Sequence, residues 1–335
     1  MATASPLSAP LCFVPVYKQV VWGGRRMAAY RDDLPEGPVG ESWDLADHPD
    51  GQSVVVAGPL AGKSLGELLA EDPEALVGPG FSGGPFPLLI KLIDATQRLS
   101  VQVHPDDELA RAMALGQGGK TECWLVLADG GEIFQGTRPG VDRAVFEQAL
   151  AEGRLADLLN RFECQADDFF FLGARTVHAL GAGCLVYEIQ QTSNITFRVY
   201  DWGRVGLDGK PRPLHVAASL DTIDFSRTGF GPQRPPWQTA ADGSAGRLLA
   251  DCPFFRVEER RGSSLHLPTT GGFQIVTVIE GAVTVSTVGG AVEVPAKSTV
   301  LIPAAAGAAE VRSREPAGGC TVVLSGPGTR IASRL

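Results

Sequence analysis

The stretch DFFFLGARTVHALGAGCLVYEIQQTSNITFRVY, residues 168–200, decides the fold class. Its apolar and β-branched runs are short, and glycine turns punctuate them, so it reads as several short strands and not as a long helix. The same texture extends outward in both directions. LLIKLIDATQRLSVQVH (88–104) reads as one or two strands that stop at Pro105, because proline lacks the N–H a ladder needs. GKTECWLVLADGGEIF (119–134) reads as two strands around the turn Asp129-Gly130-Gly131. Between them, Asp106 or Asp107 caps a helix running to about Leu115, and VDRAVFEQALAEGRLADLLNRF (141–162) has helical spacing, as two short helices broken near Gly153. Further upstream, Ser64 with Glu67 three residues on forms a capping-box pattern.

This is a β-rich body with a helical insertion at about 106–117 and 141–162. Residues 226–246, SRTGFGPQRPPWQTAADGSAG, have a linker composition, and beyond them QIVTVIEGAVTVST, AVEVPAKSTVLIPA and CTVVLSG run as strands between glycine turns. The expected organisation is a catalytic domain over 1–225, a linker over 226–246 and a second β domain over 247–335, an antiparallel barrel or jelly roll. The 41 glycines and 24 prolines of this 335-residue chain fit many turns better than long helices.

Charge narrows the partners. A formal net charge of -9 gives no broad positive field for nucleic acid or an anionic membrane, so a small anion could be held only by locally concentrated cations. No run approaches the roughly 20 apolar residues that span a bilayer. The opening MATASPLSAPLCFVPVYK lacks a basic stretch before its short apolar part, so no targeting segment is read there. Six scattered cysteines without a CxxC pair read as reduced thiols, and the cytoplasm is the expected compartment.

The chain has five histidines, at 48, 104, 178, 215 and 266. Gln102 and His104 lie two apart on an expected strand and leave by one face, with Val101 and Val103 on the other. Glu122 follows on the next strand-like segment, and His178 on a later one. Two imidazoles, a carboxylate and an amide oxygen make a four-ligand set suited to zinc. On the residues alone, a strand histidine near a turn is more often structural than a ligand, and Glu122 more often an ion-pair partner.

Several long motifs add to this. FPLLIKLIDATQRLSVQVHPDD (86–107), GKTECW (119–124) and GARTVHALGAGCLVYEIQQTSNITFRVYDWGR (173–204) closely resemble type I phosphomannose isomerase in its short bacterial form. VWGG (21–24) and GESWDLADHPDGQSVV (40–55) extend the likeness, which covers nearly all of the chain to about residue 225 and the C-terminal part more weakly. The resemblance implies a mainly β fold of two cupin-like jelly-roll barrels with a small helical insertion in the N-terminal half. It implies one zinc ion per chain on Gln102, His104, Glu122 and His178, and interconversion of mannose 6-phosphate and fructose 6-phosphate by a monomer. It places Arg198 at the family's active-site arginine, Arg204 at a basic position associated with the phosphate, Lys91 and Lys120 at pocket lysines, and Glu188 at an acidic pocket residue. Asn194, where aspartate is common, and Phe197, where tyrosine is frequent, depart from the pattern at positions that are not ligands.

That reaction moves a proton between C1 and C2 through an enediol. It needs a polarised oxygen, a positioned base and a grip on the remote phosphate. A guanidinium such as Arg198 or Arg204 offers parallel donors to phosphate or enediolate oxygens. Lys120 shares a strand face with Glu122, and Ser100 with Gln102. Trp22 is a candidate apolar wall for the sugar. The base stays open among Glu188, His48 and a solvent molecule on the metal. In the second barrel the segment after IPA reads AAGAAE, and His266 has no partner at i+2, so no metal is expected there. Two other classes remain: a metal-dependent cupin oxygenase, and a non-catalytic sugar-phosphate-binding bicupin.

Overall fold

The computed structural model of the chain describes residues 5–228, 230–315 and 318–328. The first four residues, part of the segment read for targeting, lie outside them. The chain is mainly β and groups into two compact units. One comprises Met1–Val16, Trp43–Ile90 and Pro235–Leu335; the other comprises Tyr17–Ser42 and Lys91–Arg234. The boundary near 234 falls inside the linker-like segment 226–246, but the first unit also takes two N-terminal segments that no linear division foresees.

In the unit containing Lys91–Arg234, two sheets carry the architecture. A five-stranded sheet runs in the order Leu159–Cys164, Gly131–Thr137, His178–Leu180, Val101–Val103, Phe197–Tyr200. Phe169–Leu172, Glu122–Val126 and Leu185–Gln191 form one side of a second, six-stranded sheet. Strand alternation decides what each face of the five-stranded sheet does. Val101, Val103, Phe134, Ala179, Phe197 and Val199 point to one side, into a core with Phe146, Leu155 and Leu220. Helices Arg143–Ala151 and Val216–Thr222 supply part of that cover. The other side carries Gln102, His178 and Leu180 toward the six-stranded sheet, whose Trp124, Phe170, Leu172 and Val186 join Leu180 and Ile133 in a second core.

The expected helices are present but shorter. Asp106 caps Asp107–Ala112 through a bond from Leu109 N, and Asp142 caps Arg143–Ala151. After a 3-10 turn at Leu155–Leu158, residues Leu159–Cys164 form a strand where helical spacing was read. Leu155, Leu158, Leu159 and Phe162 do fit one helical face. The backbone groups of 159–164 instead complete the ladder of Gly131–Thr137, which would otherwise present an open edge. The capping box at Ser64 and Glu67 is complete, each side chain meeting the other's backbone N–H.

The other unit has an eight-stranded and a four-stranded sheet. Leu265, Val283, Val285 and Val311 of the smaller sheet and Val276, Val278, Val300 and Val322 of the larger one share a single core. His266 sits on the strand Ser264–Leu267, opposite Glu310. Arg247 and Glu259 face each other across adjacent strands as a buried ion pair, with Nε to Oε2 at 2.8 Å. Glu259→Ala leaves a buried guanidinium without that carboxylate and is expected to cost about 3–5 kcal/mol, read as a lower denaturant midpoint. All six cysteines are free thiols, and no helix among the described residues is long and apolar enough to cross a membrane.

Candidate active site

The site is built on one row of cross-strand neighbours. Gln135 pairs with His178, His178 with Gln102, and Gln102 with Arg198. Directly opposed residues project to the same side of a sheet, so this row lines one face of the five-stranded sheet. Glu122 comes from the six-stranded sheet across the gap. His104 follows Val103, and Lys120 precedes Glu122.

GKTECW is held against the end of the His104 strand. Lys120 N donates to Pro105 O at 3.0 Å, and Gly119 N donates to Asp107 Oδ1 at 2.7 Å. A Cβ on Gly119 would lie 2.5 Å from the Asp106 carbonyl carbon, so only glycine lets the two backbones pass this closely. That approach delivers Lys120 and Glu122 to His104.

His104, Glu122 and His178 are buried, and one ligand atom from each lies within 4.8 Å of the others. Both imidazoles are fixed as the same tautomer. Nδ1–H of His104 donates to Ile195 O at 2.7 Å, and Nδ1–H of His178 donates to Thr176 O at 2.9 Å. Each neutral ring therefore turns its Nε2 lone pair inward. The Nε2 atoms lie 3.7 and 3.2 Å from the two carboxylate oxygens of Glu122. Glu122 Oε1 is buried and accepts no hydrogen bond. Facing lone pairs with a bare carboxylate oxygen among them are unfavourable unless a cation lies between, and a divalent metal meets that need. The Gln102 amide nitrogen is 3.3 Å from His178 Nε2; with the amide turned over, its oxygen would occupy that point.

Charge around this centre is concentrated and buried. Burial pushes the His104 imidazole down to about 3, and the neighbouring Lys120 ammonium acts in the same direction, which keeps its lone pair available. Burial opposes ionisation of Glu122, but Lys120, 2.7 Å away, and the imidazoles outweigh it and hold the carboxyl well below the usual range. Glu188 goes the opposite way: burial and the nearby Glu122 charge raise it. It accepts from the Trp124 indole at 2.9 Å and faces Lys91 at 3.3 Å. Lys91 also meets Glu41 at 3.3 Å, and although burial opposes its charge, these carboxylates raise it. One cavity of about 160 Å³ is lined by Gln102, Lys120, Lys91, Glu188, Ser100, Arg198 and Trp22. That is room for a few waters, at roughly 30 Å³ each, or for part of a small polar molecule.

The expected site residues thus converge, with two exceptions. Arg204 does not line the cavity; its Nε and Nη2 are committed to Asp201 at 3.1 and 2.7 Å, and Nη1 donates to Arg98 O. His48 lies in the other unit, buried edge-on to Trp43, with Nδ1 accepting from Asp50 N. Arg198 makes no ion pair with Glu188 or Asp201; Nε donates to Ser100 Oγ at 3.3 Å and Nη1 to Pro213 O at 2.9 Å. The departures are unequal: Asn194 lines the cavity, whereas Phe197 points into the core on the far side of its sheet. Sequence reading missed Arg212, Glu41, Thr196 and the apolar wall residues Leu99 and Leu180. Glu41 lies in the GESW motif, where it could have been weighed. Arg212 lies between two prolines in an irregular loop with no periodicity to mark it.

The family model for the catalytic domain of type I phosphomannose isomerase matches residues 11–120. The mannose-6-phosphate isomerase ManA of Bacillus subtilis is 37% identical over 279 residues, 81% of this chain and 86% of that protein. A mannose-6-phosphate isomerase of Streptococcus mutans is 36% identical over 279 residues, 82% of this chain and 86% of that protein. Among solved structures, a mannose 6-phosphate isomerase from Bacillus subtilis superposes with a TM-score of 0.85 at 30% identity, covering 95% of this chain and 99% of that one. With relatives this similar over most of their length, and with a buried His-Glu-His centre at the matching motifs, the chain belongs to the type I phosphomannose isomerase family.

Proposed function

We propose that this chain interconverts mannose 6-phosphate and fructose 6-phosphate at the cavity beside Glu122, with one zinc ion per chain on Gln102, His104, Glu122 and His178. The observation that carries this reading is the inward pair of Nε2 lone pairs around the unbonded Glu122 oxygen, beside a cavity whose lining includes Gln102, Lys120, Glu188 and Arg198. We read both units as cupin-like jelly rolls, the chemistry belonging to the one with Lys91–Arg234. The substrate is a small sugar phosphate, with no nucleic acid or membrane partner, and the protein is a cytoplasmic monomer.

When bound, zinc supplies Lewis-acid polarisation of the sugar oxygens as negative charge develops on them. The residues do the rest. Arg198, anchored by Ser100 and Pro213, presents fixed donors to the enediolate. Glu188 holds a proton more tightly than an ordinary carboxyl, so it is suited to carry one between C1 and C2. Lys91 keeps Glu188 in place from the side of Glu41, and Lys120 fixes Glu122 through Oε2 at 2.7 Å. Trp22, Leu99 and Leu180 form the wall that limits water. A pure sugar-phosphate binder would not require a buried carboxyl of raised proton affinity beside the ligand set.

The test is a coupled assay of fructose 6-phosphate formation from mannose 6-phosphate, before and after thorough chelation. Turnover should fall at least about 100-fold without metal and return on adding zinc. Undiminished turnover by metal-free protein would remove the metal from the mechanism, and binding without turnover would favour the binder.

A further inference from the structure

We propose that Asp201 is a positioning residue: it fixes Arg212 on the cavity wall beside Arg198, so that the Arg212 guanidinium grips the substrate's phosphate while Arg198 stays with the reacting end. The inference rests on the reading of the substrate as a sugar phosphate, and it assigns the phosphate grip to Arg212 in place of Arg204.

Asp201 is buried, 6% exposed, at the base of the loop that follows the Arg198 strand. Its carboxylate takes four donors. Arg212 binds it with both Nε and Nη2, at 2.8 and 2.6 Å, and Arg204 binds from the other side. Arg212 lines the cavity; Arg204 does not. Burial opposes protonation-free Asp201, but its hydrogen bonds to the two arginines hold it below the usual carboxylate range, so the clasp stays ionised.

The loop closes around this clasp. Val205 bridges to Pro211, and Gly206 N donates to Lys210 O at 2.8 Å. Pro211 and Pro213 flank Arg212 and restrict its backbone. Pro213 O accepts from Arg198 Nη1, and Arg198 N donates to His215 Nδ1 at 3.2 Å. Arg212 and Arg198 are therefore held at the same loop base, Arg212 by its Nε–Nη2 edge and Arg198 through Nε and Nη1. Arg212 Nη1 and Arg198 Nη2 make no hydrogen bond among the described residues.

The charge has a consequence. Three guanidiniums against one carboxylate leave a local positive excess in a chain of net charge -9. Burial, and then the neighbouring Arg212 charge, lowers the Arg198 pKa, so a dianion held by Arg212 relieves that repulsion as well as forming charge-assisted bonds. Arg204 completes the balance from behind: it holds Asp201 so that the carboxylate is not drawn toward the cavity by Arg212.

Calorimetric titration of metal-loaded protein with inorganic phosphate tests the grip without requiring turnover. Arg212→Met should raise the phosphate Kd at least tenfold, and Asp201→Asn severalfold, with Asp201→Glu recovering part of the loss. In the isomerase assay both variants should raise KM by more than they lower kcat, a split that general unfolding does not produce. Arg212 is partly exposed, so its variant folds even if Asp201→Asn does not. Phosphate that binds Arg212→Met as tightly as wild type, or fails to bind wild type, overturns the grip. Normal binding by Asp201→Asn alongside weak binding by Arg212→Met overturns the positioning role. A wild-type chain that binds phosphate through Arg212 yet fails to isomerise mannose 6-phosphate overturns the isomerase reading and leaves this one standing.

Discussion

Arg198→Ala is expected to cut kcat by about 10²–10³ while the chain keeps its full metal content, measured by coupled assay and by elemental analysis of the same sample. Arg198 is the cross-strand partner of Gln102 but contributes nothing to the imidazole and carboxylate cluster. Its guanidinium is held by Ser100 Oγ, on the cavity wall, and by the carbonyl of the exposed Pro213, so truncation leaves these two groups to the cavity and to solvent and not to an apolar core. The folding cost should accordingly be small. The loss falls on the transition state, because a donor fixed in advance interacts best with charge that appears only there. Arg198→Lys should not restore the rate: an ammonium has neither the planar fork nor the reach to both anchors. Turnover of Arg198→Ala at the wild-type rate would show that the developing charge is borne elsewhere.

Much of this site was legible in the sequence because its residues sit on strands, where position in the chain dictates the face. Gln102 and His104 share a face by simple alternation, and Val101 and Val103 go to the opposite core. The motif GKTECW was legible as a unit, although its physical reason, a glycine pressed against the backbone of Asp106 and Asp107, becomes visible only in three dimensions. Reading failed where backbone pairing overrides local pattern. Residues 159–164 have apolar spacing compatible with a helix, but the edge of Gly131–Thr137 recruits them as a strand. Local pattern is silent in the loop after Tyr200, where no periodicity separates Arg204 from Arg212. Only the geometry of the Asp201 clasp puts one of them on the cavity and the other behind it.

Glu122→Gln should release the metal. The side chain is wholly buried, and the substitution keeps its shape while removing its charge. Of the residues around the cluster, Glu122 alone stands within ion-pair distance of both imidazoles, so the amide would leave the lone pairs of His104 and His178 without their anionic complement. Lys120 would then direct its ammonium, 2.7 Å from the former carboxylate oxygen, at a neutral group. A cation near the cluster that no longer has a paired anion repels a divalent ion as well. We therefore expect zinc affinity to fall more than about 100-fold, beyond the usual effect of altering a group that merely supports a ligand, and turnover to fall with it. Competition with a chromophoric chelator measures the first, and added zinc separates the two, since excess metal should recover part of the rate if the substituted site still binds weakly. The contrary reading, in which Glu122 serves only as the ion-pair partner of Lys120, predicts a less stable protein with its metal intact. A melting curve beside the metal content decides between them: a lowered melting temperature with unchanged zinc would sink the ligand role, whereas lost zinc in a folded chain would establish that the carboxylate binds the ion.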